Sequence, residues 1–93
     1  MFIEKFSPKS SEAFFKFHES VSKNSSLDEK TIELIKIAVS SVLRCKHCTD
    51  SHTKKALSLG ISPEEITDAM LVSALQAAGT QLYWNKEAFD KYL

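Results

Sequence analysis

The segment that runs from Arg44 to His52 contains the residue types from which thiol chemistry is built. Cys45 and Cys48 form a Cys-x-x-Cys pair, His47 lies between them, and His52 follows Cys48 by four residues. Unpaired amides and the positive end of the dipole at a helix N-terminus favour thiolate over thiol, and a nearby imidazole lowers the thiol pKa or takes its proton. The pattern therefore predicts redox-active cysteines.

The spacing also assigns relative positions. If a helix starts near Lys46, residues Cys48 and His52 lie on one helical face, with His52 over the turn that holds Cys48. This is the arrangement of a nucleophile and its base. Cys45 lies close enough to form a disulfide with Cys48, so that one cysteine can attack and the other resolve.

Two other interpretations of the cysteines stay open at this point. Free cysteines are often small buried hydrophobes, although the neighbouring Lys46 and His47 make this setting polar. Alternatively, Cys45, Cys48 and either His52 or His47 could supply three zinc ligands. A structural zinc site needs a fourth ligand, and no second cysteine pair follows. The remaining histidine, His18, is expected to be a packed or surface residue.

Glu33 is a further candidate, because it interrupts the most apolar helical segment of the chain. A carboxylate there is costly unless it is paired or hydrated. Its helical neighbours Ile37 and Ser40 define a face that could turn toward the helix of the cysteines. An ordinary solvated glutamate fits the periodicity equally well.

The elements that position these residues are predicted to be about five helices. The first runs from Ser10 or Ser11 to about Ser22, and the second follows a capping box at Ser26–Glu29 and reaches about Leu43. The third runs from near Lys46 to Leu59-Gly60, where Gly60 takes a left-handed conformation. The fourth starts with Ser62 as N-cap, Pro63 at the first helical position, a box completed by Glu65, and an Ile61–Ile66 staple. Gly79-Thr80 is expected to interrupt it, before a final helix from about Gln81 to Tyr92.

Composition narrows the class of protein. The chain has 93 residues, with 12 basic and 12 acidic side chains, so it is expected to be a single domain and to lack the charge bias of nucleic-acid or anionic-membrane binding. Apolar runs are too short for a membrane span, and no secretory signal is recognised at the start. Two cysteines do not make a secreted disulfide scaffold, so a cytoplasmic location is expected. The second helix is apolar on several faces, which indicates a subunit of an oligomer.

The constellation resembles the active-site signature of the alkylhydroperoxidase D family, within the carboxymuconolactone decarboxylase-like superfamily. Glu33, Cys45 twelve positions later, His47, Cys48 and His52 match every position of that signature. The likeness covers about residues 26–78, within a single helical domain of residues 1–93. It implies an all-α bundle. True lactone decarboxylases of the superfamily lack the cysteine pair, which argues against decarboxylation here.

The resemblance also implies roles and partners. Cys48 would be the attacking, peroxidatic thiol and Cys45 the resolving thiol, while His52 acts on the Cys48 proton with help from Glu33 and His47. The substrate would be a hydroperoxide, or a disulfide if the same site works as a reductase. The reductant would be an external dithiol, either a lipoyl group or a thioredoxin-like protein. No cofactor or metal is expected, and the assembly would be a homo-oligomer, as a trimer or hexamer.

Overall fold

A computed structural model describes residues 2–93, and this part of the chain is helical with no strand. The single turn α1 (Ile3–Phe6) precedes five longer helices: α2 (Pro8–Asn24), α3 (Glu29–Val42), α4 (Lys46–Ser58), α5 (Pro63–Tyr83) and α6 (Lys86–Tyr92). The predicted all-α fold of about five helices is confirmed. The predicted domain begins at Met1, which lies outside the described residues.

The boundary between α4 and α5 follows the sequence signals closely. Gly60 has φ +82°, the left-handed conformation that ends α4. Ser62 Oγ accepts from the backbone N–H of Glu65 while the Glu65 carboxylate accepts from the Ser62 N–H, each at 3.1 Å. Ile61 is buried, and Ile66 packs against the cluster that contains it. The chain direction between α4 and α5 is thus fixed by local hydrogen bonds and one apolar contact.

The predicted capping box at Ser26–Glu29 is wrong. The N-cap of α3 is Asp28, whose carboxylate accepts from the backbone N–H of Thr31 at 2.7 Å. This hydrogen bond lowers the pKa of Asp28. Two cap residues compete here, and the ionised carboxylate also interacts favourably with the positive end of the helix dipole.

The predicted break at Gly79-Thr80 is also wrong. Helix α5 continues through both residues to Tyr83, and the last helix begins at Lys86 instead of near Gln81. Glycine inside a helix costs only about 1 kcal/mol relative to alanine, which the flanking helical residues can outweigh. Thr80 is compatible with the helix because its hydroxyl donates to the Gln76 carbonyl one turn earlier.

The core is small and lies where α3 packs against α4 and α5. Its fully buried apolar members are Ile37 of α3, Ala56 of α4 and Ile61 of the intervening loop. Leu34, Leu59 and Ile66 pack against them. Helix α2 packs mainly with α1, and its aromatic side chains Phe14, Phe15 and Phe17 are exposed.

The single chain is more extended than a folded monomer of its size. Its Cα radius of gyration is 17.5 Å, whereas a compact chain of this length has about 12 Å. Its accessible surface is 7785 Å², whereas a monomer of this mass typically exposes about 5,400 Å². Much of the apolar surface of α2, α3, α5 and α6 is therefore exposed in the isolated chain.

None of the helices within residues 2–93 has the length and apolar character needed to cross a membrane.

Candidate active site

Cys45 and Cys48 are joined by a disulfide at the N-terminus of α4, with their Cα atoms 5.2 Å apart. Cys45 is the N-cap residue, and its Sγ accepts from the backbone N–H of Cys48 at 3.2 Å. Both cysteines are half-buried. The placement brings the sulfur atoms against the positive end of the helix dipole, where a thiolate is stabilised.

A tight turn between α3 and α4 presents the disulfide. The Cys45 N–H donates to the Ser40 carbonyl, and the Arg44 N–H donates to the Ser41 carbonyl. Arg44 has φ +56°, in the left-handed region that favours glycine and asparagine. The backbone at this turn thus adopts a costly conformation with a large charged side chain, directly before the first cysteine.

Glu33 is buried and bound to His52, which settles the ambiguity left by the sequence. Its side chain is 1% exposed, and it lies on the same buried face of α3 as Ile37 and Ser40. His52 Nδ1 lies 2.8 Å from Glu33 Oε2, so the imidazole N–H donates to the carboxylate. The interpretation of Glu33 as a solvated glutamate is therefore wrong, and the face that it shares with Ile37 and Ser40 does turn toward α4.

Two lysines complete the surroundings of Glu33. Lys36 Nζ lies 3.6 Å and Lys55 Nζ 3.4 Å from Glu33 Oε1. These lysines were missed by the sequence reasoning. Lys36 follows Glu33 by one helical turn and Lys55 follows His52 by three residues, and both spacings are those of side chains on one helical face.

The ionised form of Glu33 is favoured despite its burial. Burial is the largest single influence on the Glu33 pKa and raises it, but the hydrogen bond from His52, the charge of His52, and the charges of Lys36 and Lys55 all oppose it. Together they lower the pKa of Glu33 below its ordinary value of 4.5. The site therefore holds a buried carboxylate that orients an imidazole.

Cys48 lies one helical turn before His52 on α4. Cys48, His52 and Lys55 occupy positions i, i+4 and i+7, which fall on one helical face. Nδ1 of His52 is occupied by Glu33, whereas its Nε2 makes no hydrogen bond to any residue of the described chain. An imidazole held at one nitrogen and open at the other is arranged to exchange a proton with a group one turn away.

His47 lies apart from this hydrogen-bonded pair. Its side chain is exposed and lines a cavity of about 1260 Å³ on the other side of α4, together with Cys45 and several charged residues. The structure thus brings together Glu33 and His52 by a hydrogen bond and Cys45 and Cys48 by a covalent bond. It does not bring His47 to Glu33 or His52.

Within residues 2–93, no three His, Cys, Asp or Glu side chains are grouped so that they could hold a metal ion. His18, the remaining histidine, is exposed on α2. At the site itself, the helix-terminal disulfide lies on the same helix as an imidazole that a buried carboxylate orients.

The family model of the carboxymuconolactone decarboxylase family matches residues 8–90. The chain belongs to this family. It is similar to alkyl hydroperoxide reductase AhpD of Nocardia farcinica, with 34% identity over 65 residues that make up 70% of this chain and 36% of that protein. It is also similar to uncharacterized protein 4 in the cox locus of Paracoccus denitrificans, with 35% identity over 68 residues, 73% of this chain and 61% of that protein.

Among solved structures, the chain is similar to a structural genomics protein from Methanobacterium thermoautotrophicum, with a TM-score of 0.83 and 35% sequence identity. The match covers 88% of this chain and 94% of that one, which shows that the two share a fold. By contrast, the chain spans about three fifths and about one third of the two curated relatives that it matches.

Proposed function

We propose that the protein is a thiol-dependent oxidoreductase that reduces hydroperoxides through a Cys45–Cys48 disulfide. The observation that carries the proposal is the disulfide at the N-terminus of α4, on a helix that also holds His52 against the buried Glu33. Similarity to an alkyl hydroperoxide reductase supports the same chemistry. Glu33, His52, Cys45 and Cys48 would form the catalytic machinery.

In the proposed reaction, the Cys48 thiol passes its proton to His52 through the open Nε2. The Cys48 thiolate attacks the distal peroxide oxygen, the O–O bond breaks, and the leaving alkoxide or hydroxide takes a proton and departs as an alcohol or water. Cys48 is then a sulfenic acid. The Cys45 thiolate attacks the sulfenic sulfur, hydroxide leaves with a proton as water, and the disulfide forms.

In this scheme, Glu33 orients His52 and the N-terminus of α4 stabilises a thiolate. The carboxylate accepts the Nδ1 proton of His52 and thereby leaves Nε2 as the ring nitrogen that exchanges a proton. The N-cap position stabilises Cys45 as a thiolate through the N–H of Cys48. A relay role for His47 remains a prediction from the family resemblance.

An external dithiol, a lipoyl group or a thioredoxin-like protein, would reduce the disulfide and complete the cycle. The same groups would also support reduction of a protein or small-molecule disulfide without peroxide, as a second direction of the same thiol exchange. We also propose a cytoplasmic location, because two cysteines do not make the disulfide scaffold of a secreted protein.

Turnover assays on two variants test this proposal. Cys48→Ser should abolish hydroperoxide consumption in the presence of a dithiol, and Cys45→Ser should accumulate a sulfenic acid on Cys48 that a dimedone-type reagent captures. Full turnover by Cys48→Ser would refute the assignment. A redox sensor without a dedicated substrate would form the disulfide but consume peroxide at a negligible rate, and a metal-binding module would retain stoichiometric zinc.

We also propose that the working unit is a homo-oligomer. The isolated chain exposes about 2,400 Å² more surface than a typical monomer of its mass, whereas one standard interface buries about 800 Å² per partner. The excess is large enough for contacts with more than one neighbour, as in a trimer or hexamer. Light scattering coupled to size exclusion should report a mass of three or six chains, and a monomer at micromolar concentration would contradict this.

A further inference from the structure

The cavity on the side of α4 away from Glu33 carries a concentration of unpaired positive charge. Arg44, Lys46 and Lys54 line it, and within residues 2–93 none of the three forms an ion pair. Asp50 is the acidic residue that also lines it. In contrast, Lys16, Lys23, Lys36, Lys55 and Lys86 each pair with a carboxylate. In a chain of zero formal charge, this cavity therefore carries a local excess of positive charge.

The position of Arg44 supports a binding role for its side chain. Its φ of +56° is a conformation that glycine or asparagine adopts with less strain. The Arg44 side chain makes no hydrogen bond or ion pair within residues 2–93 that would account for its presence in the turn. It does place a guanidinium, which can bind carboxylate or phosphate with two parallel hydrogen bonds, beside Cys45.

The cavity is lined by one of the two disulfide-bonded cysteines. Cys45 lines it, and Cys48 does not. A volume of about 1260 Å³ exceeds what a small peroxide requires and suits an organic molecule of moderate size. A ligand held there would therefore approach the disulfide from the Cys45 side.

We propose that this cavity binds the reducing substrate, and that this substrate is an anionic thiol bearing carboxylate or phosphate groups, in place of the lipoyl group or thioredoxin-like protein that the family resemblance implies. The inference rests on the proposed function in taking the Cys45–Cys48 pair to cycle between disulfide and dithiol. The thiolate attacks Cys45 Sγ, a mixed disulfide with Cys45 forms, the Cys45–Cys48 bond breaks, and Cys48 leaves as a thiolate beside His52. A second thiol, on the same or another molecule, attacks the mixed disulfide at the sulfur of the bound thiol and releases Cys45 as a thiolate. Two thiols are thereby oxidised to one disulfide while the protein disulfide is reduced.

The test is a stopped-flow measurement of disulfide reduction in the full-length protein, without peroxide, by mercaptosuccinate, 2-mercaptoethanol and cysteamine. The variant Lys46→Gln/Lys54→Gln removes two cations from the cavity, and Lys9→Gln/Lys91→Gln removes two exposed lysines elsewhere as a matched control. For each thiol, the ratio of variant to wild-type rate constants cancels the intrinsic reactivity of that thiol.

For the cavity variant, mercaptosuccinate should react about fivefold more slowly at 0.15 M salt, since two lysines about 7 Å from a dianion are screened but still attractive. The loss should grow at lower ionic strength. The rate for 2-mercaptoethanol should change by less than about twofold, and cysteamine should not slow down. Equal ratios for all three thiols, or the same ratios in the control variant, would overturn the proposal.

Two further measurements keep the proposal testable if the double variant folds poorly. Arg44→Asn should slow mercaptosuccinate selectively while leaving the thermal midpoint unchanged or higher, because asparagine tolerates the left-handed backbone. Acid quench followed by peptide mass spectrometry should locate the mixed disulfide on Cys45, and its detection on Cys48 would refute the attack step. Neither readout depends on peroxide turnover, so absent peroxidase activity would leave this result interpretable.

Discussion

Replacing Glu33 with glutamine removes a buried charge while almost preserving side-chain volume. The glutamine oxygen can still accept from His52 Nδ1, so the hydrogen bond survives without its ionic character. A hydrogen bond to a charged group contributes about 1.5–3 kcal/mol and a neutral one about 0.5–1.5 kcal/mol. Weakening of this bond therefore costs about 1 kcal/mol.

The two lysines add a smaller amount. Lys36 and Lys55 lie 3.6 and 3.4 Å from Glu33 Oε1, and their side chains are 27% and 49% exposed. Because both remain hydrated, losing their attraction costs about 0.5–1 kcal/mol, and relief of the burial cost of the charge offsets part of it. We expect Glu33→Gln to lower the free energy of unfolding by about 1–2 kcal/mol, or the thermal midpoint by roughly 4–16 °C.

The assay is urea or thermal unfolding at one protein concentration, with Glu29→Gln as the matched control. Glu29 lies one turn earlier on α3, is 65% exposed, and is 4.0 Å from Lys55 Nζ. Its substitution should change stability by less than about 0.5 kcal/mol. Equal effects of the two substitutions would refute the description of Glu33 as a charged, buried partner of His52.

The difference between wild type and Glu33→Gln should also depend on pH. The pKa of Glu33 is lowered in the folded protein, so its stabilising contribution is complete above the ordinary value of 4.5 and is lost as pH falls through the lower folded-state pKa. The stability gap between the two proteins should therefore begin to close as pH falls below about 4.5 and disappear below the folded-state pKa of Glu33. A gap that stays constant down to acid pH would contradict this.

Three further predictions concern the scaffold. Asp28→Ala should lower the thermal midpoint by a few degrees in circular dichroism melts because α3 loses its cap, whereas Ser26→Ala should change it little. Gly60→Ala should destabilise by about 1 kcal/mol through backbone strain alone, because nothing lies within 4 Å of an added Cβ. Gly79→Ala in mid-helix should stabilise by about 0.5–1 kcal/mol. Denaturant titration would measure both changes, and effects of the same sign would contradict the backbone argument. Ile37→Ala should cost about 2–5 kcal/mol in the same titration, because Ile37 is 0% exposed, and a loss under 1 kcal/mol would show that the small core is not the main source of stability.

Local signals predicted the helices that position the disulfide. Ser62, Pro63 and Gly60 act within a few residues of their own position, so the sequence alone predicts how α4 ends and α5 begins. The end of α3 and the start of α4 were predicted within about one residue for the same reason. The Cys-x-x-Cys disulfide also follows from short-range spacing.

Features that depend on competition between signals were mispredicted. Ser26 and Asp28 are both good cap residues, and the sequence does not show which one the backbone will select. The break assigned to Gly79-Thr80 overlooked the length of helix on each side. The short α1 was not predicted, since four residues carry no periodicity.

Tertiary contacts account for the rest of the site. The environment of Glu33 depends on His52, which is 19 residues away, and helical periodicity says nothing about such a contact. Similarly, Arg44, Lys46 and Lys54 line one cavity with Cys45 only because the turn at Arg44 sets the direction of α4. The exposed aromatic residues Tyr83, Trp84 and Phe89 do not join the core of the single chain.

One measurement tests most directly the claim that Cys45 and Cys48 are the redox centre. The fully reduced protein is mixed with one equivalent of an organic hydroperoxide, and free thiols and intact mass are then determined. We predict loss of both thiols with a mass decrease of about 2 Da, as formation of one disulfide requires. Retention of both thiols, or a mass increase from added oxygen without a disulfide, would contradict it.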